Sequence, residues 1–303
     1  MAPVHLIFLL TSYVYVLKAE EEEELPRHVF STDNLNPVNP ENLTIETIEK
    51  GTPGTTDYRM FFKSQHGFIS PMHDILLYAN YDDKIYNMIV EIPKGTNAKM
   101  AISLGDPMNP LKQCTKDGKL VSVHLPHVLP HNGYIWNYGA FPNTWESSNE
   151  TDSYSGLDGD GHLLDVIDIG DRVAKRGEIL HVKVLGAIGL LDNGRIDYKI
   201  IAVNVNDPKA AKLNDIGDVE KHYPGYMKAT LEWFKHSTKK PLAFNGELKD
   251  REYTSYIMTM SMMKWMLLSV GKLDNPGISL LNTISGNEGK ISFDRANKTV
   301  NKL

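Results

Sequence analysis

The period of the hydrophobic positions changes once along the chain. Between residues 58 and 205, short runs rich in β-branched and aromatic residues (58–62, 85–92, 120–123, 165–169, 179–188 and 195–205) are separated by Gly, Pro and Asn. Several alternate with period two, as in His181-Val182-Lys183-Val184-Leu185, the mark of strands with one buried face. Short strands punctuated at this spacing predict a small closed barrel or a sandwich. From Pro224 onward the period is helical. Pro224 is preset for a first turn and opens a helix through Trp233 and Phe234. A second helix over 252–270 follows from the stripe Tyr253, Ile257, Met260, Lys264 and Leu267, widened by Tyr256, Met263 and Leu268, with Gly271 as its stop. Its methionines read as filler for irregular core gaps. The fold class is therefore α+β, mainly β, with helices flanking on the C-terminal side. Residues 20–56, rich in Pro, Asn and Glu without period, read as an extended arm. The folded domain is expected over 57–285, and a polar tail that frays over 286–303.

The chain has 303 residues, 41% hydrophobic and 23% charged, with a formal net charge of -6. Such a balance, with no long basic run, excludes a general nucleic-acid or anionic-membrane binder. A site for a small anion must then be locally basic. Residues 1–17 carry an apolar stretch (Val4, Leu6, Ile7, Phe8, Leu9, Leu10, then 14–17), closed by Lys18, Ala19 and the glutamates 20–24. It has the length of a signal-peptide core and is too short and interrupted for a confident span. The expectation is a signal peptide over 1–19 cleaved after Ala19, a secreted or secretory-pathway protein, and no stable membrane span after cleavage. A segment that is not a functional signal would leave the protein cytoplasmic. Sequons at Asn42, Asn149 and Asn297 are compatible with export, and the single cysteine, Cys114, forbids an internal disulfide.

Candidate chemistry concentrates in two acidic segments. In Leu157-Asp-Gly-Asp-Gly-His-Leu-Leu-Asp-Val-Ile-Asp-Ile-Gly170, carboxylates beside glycines lead into an apolar strand. This places oxygen ligands for a hard divalent ion at a strand mouth. A calcium loop of the EF-hand kind lacks its Glu at the twelfth position and its flanking helices. In Leu190-Leu-Asp192-Asn-Gly-Arg-Ile-Asp197-Tyr-Lys199, the Asn193-Gly194 step signals a tight hairpin. Asp192 and Asp197 are expected to face one another across it. Taken alone, each segment also reads as a solvated loop or a charged hairpin; together they point to a polynuclear metal site.

Further strings carry a resemblance: Met88-Ile-Val-Glu-Ile-Pro-Lys-Gly-Thr-Asn-Ala-Lys99, His131-Asn-Gly-Tyr-Ile-Trp-Asn-Tyr-Gly-Ala-Phe-Pro-Asn-Thr-Trp-Glu146, 164–170, 199–208, Lys212-Leu-Asn-Asp-Ile-Gly-Asp-Val-Glu220 and Glu232-Trp-Phe234. In collinear order over 58–282 they resemble the soluble (family I) inorganic pyrophosphatases of the eukaryotic type. The resemblance implies a five-stranded, OB-like closed barrel with flanking C-terminal helices. It implies hydrolysis of inorganic diphosphate to two phosphates with several Mg²⁺ ions, and a possible homodimer. By position it implies Asp160, Asp165, Asp192 and Asp197 as metal ligands and Glu91 as a carboxylate of the metal shell. Lys99, Tyr138 and Lys199 would hold phosphate oxygens, with Tyr134 lining the substrate pocket.

The chain departs from that pattern at positions the family uses. Ala101 stands where a carboxylate is expected. An expected arginine falls on Pro126 without a gap, or on His124 with a two-residue insertion. A Tyr-Lys pair is replaced by Ser237-Thr238, although Lys239 or Lys240 lies near enough in sequence to swing in. Counting back from Asp165, the motif Asp-x-Asp-x-x-Asp reads Asp160-Gly-His162-Leu-Leu-Asp165, so His162 takes the position of the catalytic carboxylate. The gapped alternative uses Asp158 and Asp160 instead. Period-two spacing on one strand face favours the first. Imidazole is a poor Mg²⁺ ligand and a better one for softer ions, so Zn²⁺ or Mn²⁺ enters as a candidate cofactor. The competing reading is a secreted, weakened or inactive relative that only binds metal or phosphate.

Overall fold

A computed structural model of the chain describes residues 43–125 and 133–303. The expected signal peptide, the sequon at Asn42, most of the expected arm and Pro126 lie outside the described residues. Strands β1 (Ile45–Lys50), β2 (Arg59–Ser64), β3 (Gly67–Ile69), β4 (Tyr78–Asn80) and β5 (Ile85–Ile92) come first. Short strands β6 (Met100–Ile102), β7 (Leu111–Gln113), β8 (Thr115–Lys116) and β9 (Lys119–Leu120) follow. The long ones are β12 (Ile179–Asp192) and β13 (Arg195–Asn204), preceded by β10 (Asn137–Ala140) and β11 (Asp165–Asp168). Helices α1 (Ile216–His222), α2 (Tyr226–Thr238), α3 (Arg251–Ser269) and α4 (Phe293–Val300) occupy the C-terminal part.

Five strands return on themselves. β5 pairs with β10, β10 with β11, β11 with β13, β13 with β12 and β12 again with β5. Every contact is antiparallel except β11 with β13. Closure depends on Gly139, where an added Cβ would lie 1.9 Å from the Ile89 carbonyl oxygen. Alternation along the strands divides the core. On β13, Ile196, Tyr198, Ile200 and Ala202 join an apolar cluster covered by Ile257, Met258 and Met262 of α3. Ile201 and Val203 join the other cluster, with Trp136 and with Trp233 and Phe234 of α2. Asp197 and Lys199 share the parity of Ile201 and Val203, so the period that builds the core also aims the charged pair.

The expected ends of the folded unit are corrected. Ile45 to Lys50, assigned to the arm, pair in full register with β2 as strand β1. The expected fraying tail contains α4, capped by the Ser292 hydroxyl accepting from Arg295 N–H at 3.2 Å. Its Ala296 and Val300 are fully buried beside Phe61 and Phe68. Among the described residues no helix is long and apolar enough to cross a membrane.

Candidate active site

The β12–β13 hairpin turns at Asn193 (φ 52°) and Gly194 (φ 83°), the two positive-φ residues of a tight turn whose twist matches the strands. The register places Asp192 opposite Arg195 and Asp197 opposite Leu190. Asp192 and Asp197 therefore do not face one another across the turn, as expected from sequence. They converge through a third side chain: Lys240 Nζ lies 2.6 Å from Asp192 Oδ2 and 2.9 Å from Asp197 Oδ2. Lys199 pairs with Asp197 and with Asp165, its neighbour in register on β11. Burial pulls the Lys199 pKa down, but Asp165 and Asp197 outweigh it and hold the ammonium protonated well above its ordinary value.

The loop before β11 is not a strand, so the shared-face argument gives way to turn geometry. Asp160 Oδ1 accepts the His162 N–H at 2.9 Å, and Asp160 Oδ2 lies 3.2 Å from His162 Nδ1. Burial raises the Asp160 carboxyl, and the hydrogen bonds and charge of His162 together with the charge of Lys199 more than reverse this; the bond to Asp160 raises the imidazole pKa. The Asp160 side chain is 10% exposed and that of His162 is 66% exposed. Asp158 turns aside, accepting from the Thr151 hydroxyl at 2.8 Å. Thus Asp160, and not Asp158, joins the carboxylates.

Glu146 completes the group and was missed in the sequence. Oxygens of Glu146, Asp160 and Asp197 lie within 4.8 Å of one another. Glu146 Oε1 accepts the Tyr198 N–H at 3.1 Å, while its buried Oε2 has no hydrogen-bond partner. Burial, then Asp160 and Asp197, push its pKa well up. An orphaned carboxylate oxygen among like charges is costly unless a proton or a cation joins it. An all-oxygen donor set of this kind fits a hard divalent cation. The signal available beforehand was one carboxylate closing an otherwise uncharged run, Tyr134 to Trp145.

Glu91 is buried on β5 and accepts the Ile102 N–H at 2.8 Å. Burial, with Asp165 nearby, pushes its carboxyl up to about 8. Tyr134 and Tyr138 meet edge to face, with ring centroids 5.4 Å apart. Burial raises both phenols, and the charge of Asp165 adds to each. Lys99 is exposed beside this group, and its charge opposes the rise at Glu91. Ala101 sits on β6 opposite Lys112, and His124 is exposed. Ser237 and Thr238 both donate to the Phe234 carbonyl, at 3.4 and 2.9 Å.

Comparison with known proteins accounts for this arrangement. The family model described as inorganic pyrophosphatase matches residues 88–266. The inorganic pyrophosphatase of Drosophila melanogaster is 48% identical over 249 residues, spanning 80% of this chain and 73% of that protein. The one from Homo sapiens is 42% identical over 265 residues, spanning 85% and 90% respectively. The solved structure of inorganic pyrophosphatase from Schistosoma japonicum superposes with a TM-score of 0.76 at 42% identity, covering 80% of this chain and 87% of that one. With a matched segment of this length, relatives this similar and a shared fold, the chain belongs to the inorganic pyrophosphatase family.

Proposed function

We propose that this protein hydrolyses inorganic diphosphate to two phosphates, with Mg²⁺, at the carboxylate–lysine cluster between β11, the β12–β13 hairpin and the loop at Asp160. The observation that carries the reading is the convergence of Glu146, Asp160 and Asp197 around an unpartnered buried oxygen, bordered by Lys199 and Lys240. Asp160, Asp165, Asp192 and Asp197, joined by Glu146, would hold several ions. Bound Mg²⁺ supplies positive charge to the diphosphate and acidifies the attacking water.

The chain's own groups supply the rest. Lys99, Lys199 and the Tyr138 hydroxyl bind phosphate oxygens, and Tyr134 braces the Tyr138 ring. Phosphoryl transfer needs little covalent help, so these fixed charges and donors act mainly by positioning. Water oxygen forms a bond to one phosphorus as the bridging P–O bond breaks. The water proton passes to the Asp160–His162 pair, and the leaving phosphate takes the electron pair of the broken bond. Glu91, whose carboxyl burial pushes up to about 8, would join the metal shell as a carboxylate. His162, with its nitrogen ligand, supports a Zn²⁺ or Mn²⁺ preference as the finer reading of the cofactor. The apolar segment at 1–17 supports export as the finer reading of localisation; intact mass of secreted material, starting at Glu20 and carrying glycan, tests it.

Phosphate released from diphosphate, measured with Mg²⁺ and then with excess chelator, tests the function. Two phosphates per diphosphate, lost with chelator, are expected. No release with Mg²⁺, Mn²⁺ or Zn²⁺ would overturn it.

A further inference from the structure

Thr238, which stands where the resemblance expects a lysine, organises the turn that delivers another one. Its hydroxyl donates to the Phe234 carbonyl at 2.9 Å and accepts the Lys240 N–H at 3.2 Å. Lys239 closes α2 in the left-handed region, φ 58°. The chain then runs beside β12, where Leu191 N–H donates to the Pro241 carbonyl at 2.9 Å and Leu242 bridges to Leu190. These backbone contacts fix Lys240 at the turn end of the hairpin. Its side chain, 24% exposed, ends between Asp192 and Asp197, the second of which is fully buried.

An ammonium and a divalent ion compete for the same carboxylate oxygens. Lysine carries a compact charge on a flexible four-carbon stem, so it can leave one anion for another without moving the backbone. We propose that Lys240 is a tethered cation: it neutralises the Asp192–Asp197 pair in the metal-free protein, weakens Mg²⁺ binding there by competition, and binds a diphosphate oxygen once metal displaces it. The inference rests on the reading of the site given above. It makes the loss of the expected lysine at Thr238 and the presence of Lys240 two parts of one exchange.

The test separates metal from substrate. Mg²⁺ is titrated calorimetrically into metal-free wild type, Lys240→Met and Lys240→Gln with no diphosphate present, and KM for diphosphate is measured on the same preparations. Removing the competitor should tighten Mg²⁺ binding about tenfold, while KM rises about tenfold, each the equivalent of one lost ionic contact. Effects of opposite sign distinguish this role from a structural one, which would weaken both. Unchanged or weaker Mg²⁺ binding in the two variants, or an unchanged KM, overturns the proposal. Wild type that hydrolyses no diphosphate would instead sink the functional reading, and the Mg²⁺ titration alone would then decide the tethered cation.

Discussion

Asp192 and Asp197 leave the same hairpin, yet their surroundings assign them different costs. Asp197 is fully buried between Lys199 and Lys240, whereas the Asp192 side chain is 35% exposed, pairs with Lys240 and accepts from the Asn193 amide at 2.9 Å. Asp197→Ala removes a buried carboxylate that two ammonium groups share but leaves Lys199 with Asp165 and Lys240 with Asp192, so it should destabilise by about 2 kcal/mol, and Asp192→Ala by less than about 1 kcal/mol. Urea unfolding of both variants checks this, and equal losses would mean that Asp165 alone neutralises Lys199. At His162, a carboxylate would add a hard oxygen ligand beside Asp160, so His162→Asp should raise turnover with Mg²⁺ by about 10²-fold. Asp158→Ala should stay within about twofold of wild type, because its carboxylate is engaged with Thr151. The reverse pattern would show that Asp158 belongs to the site. Asp158, Asp160 and Asp165 were legible because acidic residues beside glycines lead into an apolar strand, and Asp192 and Asp197 because they flank an Asn-Gly turn. Glu146 was not, because it closes a run that reads as core, and Lys240 was not fixed by sequence because its reach depends on one left-handed residue.

Barrel closure rests on an element that the hydrophobic pattern did not reveal. β10 has four residues, Asn137 to Ala140, too few for a period, and its approach to β5 needs Gly139. Gly139→Ala should therefore abolish cooperative folding, since a Cβ 1.9 Å from a backbone oxygen leaves no small adjustment. Gly217→Ala serves as the opposite control: Gly217 lies in α1 with negative φ and nothing within 4 Å of an added Cβ, so a gain of about 0.5 to 1 kcal/mol is expected. Thermal melts of the two variants read both effects, and a folded, cooperative Gly139→Ala would contradict the closure argument. The long strands β12 and β13 and helix α3 were legible within a few residues, because each repeats its period several times. β1 was missed because its six residues, Ile45 to Lys50, are at best half-buried and charged at Glu46, Glu49 and Lys50, and α4 because its burial is supplied by Phe61 and Phe68, distant in sequence.

At the scale of the whole molecule, distant parts of the chain meet around His73, which is fully buried. Its Nδ1 accepts from the Trp265 indole at 3.0 Å, and its Nε2–H donates to the Ser279 carbonyl at 3.0 Å. Burial pushes its pKa below the ordinary value, against the opposing charge of Asp74. The unfolded chain therefore takes up a proton near pH 6.5 that the folded chain refuses, so stability is full above about pH 6.5 and falls as pH drops toward the folded value, by up to about 1.4 kcal/mol per pH unit. Urea midpoints at pH 7.5 and 5.5 should show this fall, and His73→Gln should flatten it; an identical slope in both proteins would assign the pH dependence to other groups. The family membership, the barrel and the cluster at Asp197 together make one central claim, that a metal-dependent diphosphate site is assembled around that carboxylate. Its most direct measurement is the steady-state rate of phosphate release from diphosphate at saturating Mg²⁺ for wild type and Asp197→Asn, with folding of both verified by circular dichroism. Turnover by wild type and a loss of about 10³-fold or more in the variant are predicted; a folded Asp197→Asn that retains the wild-type rate would contradict the account.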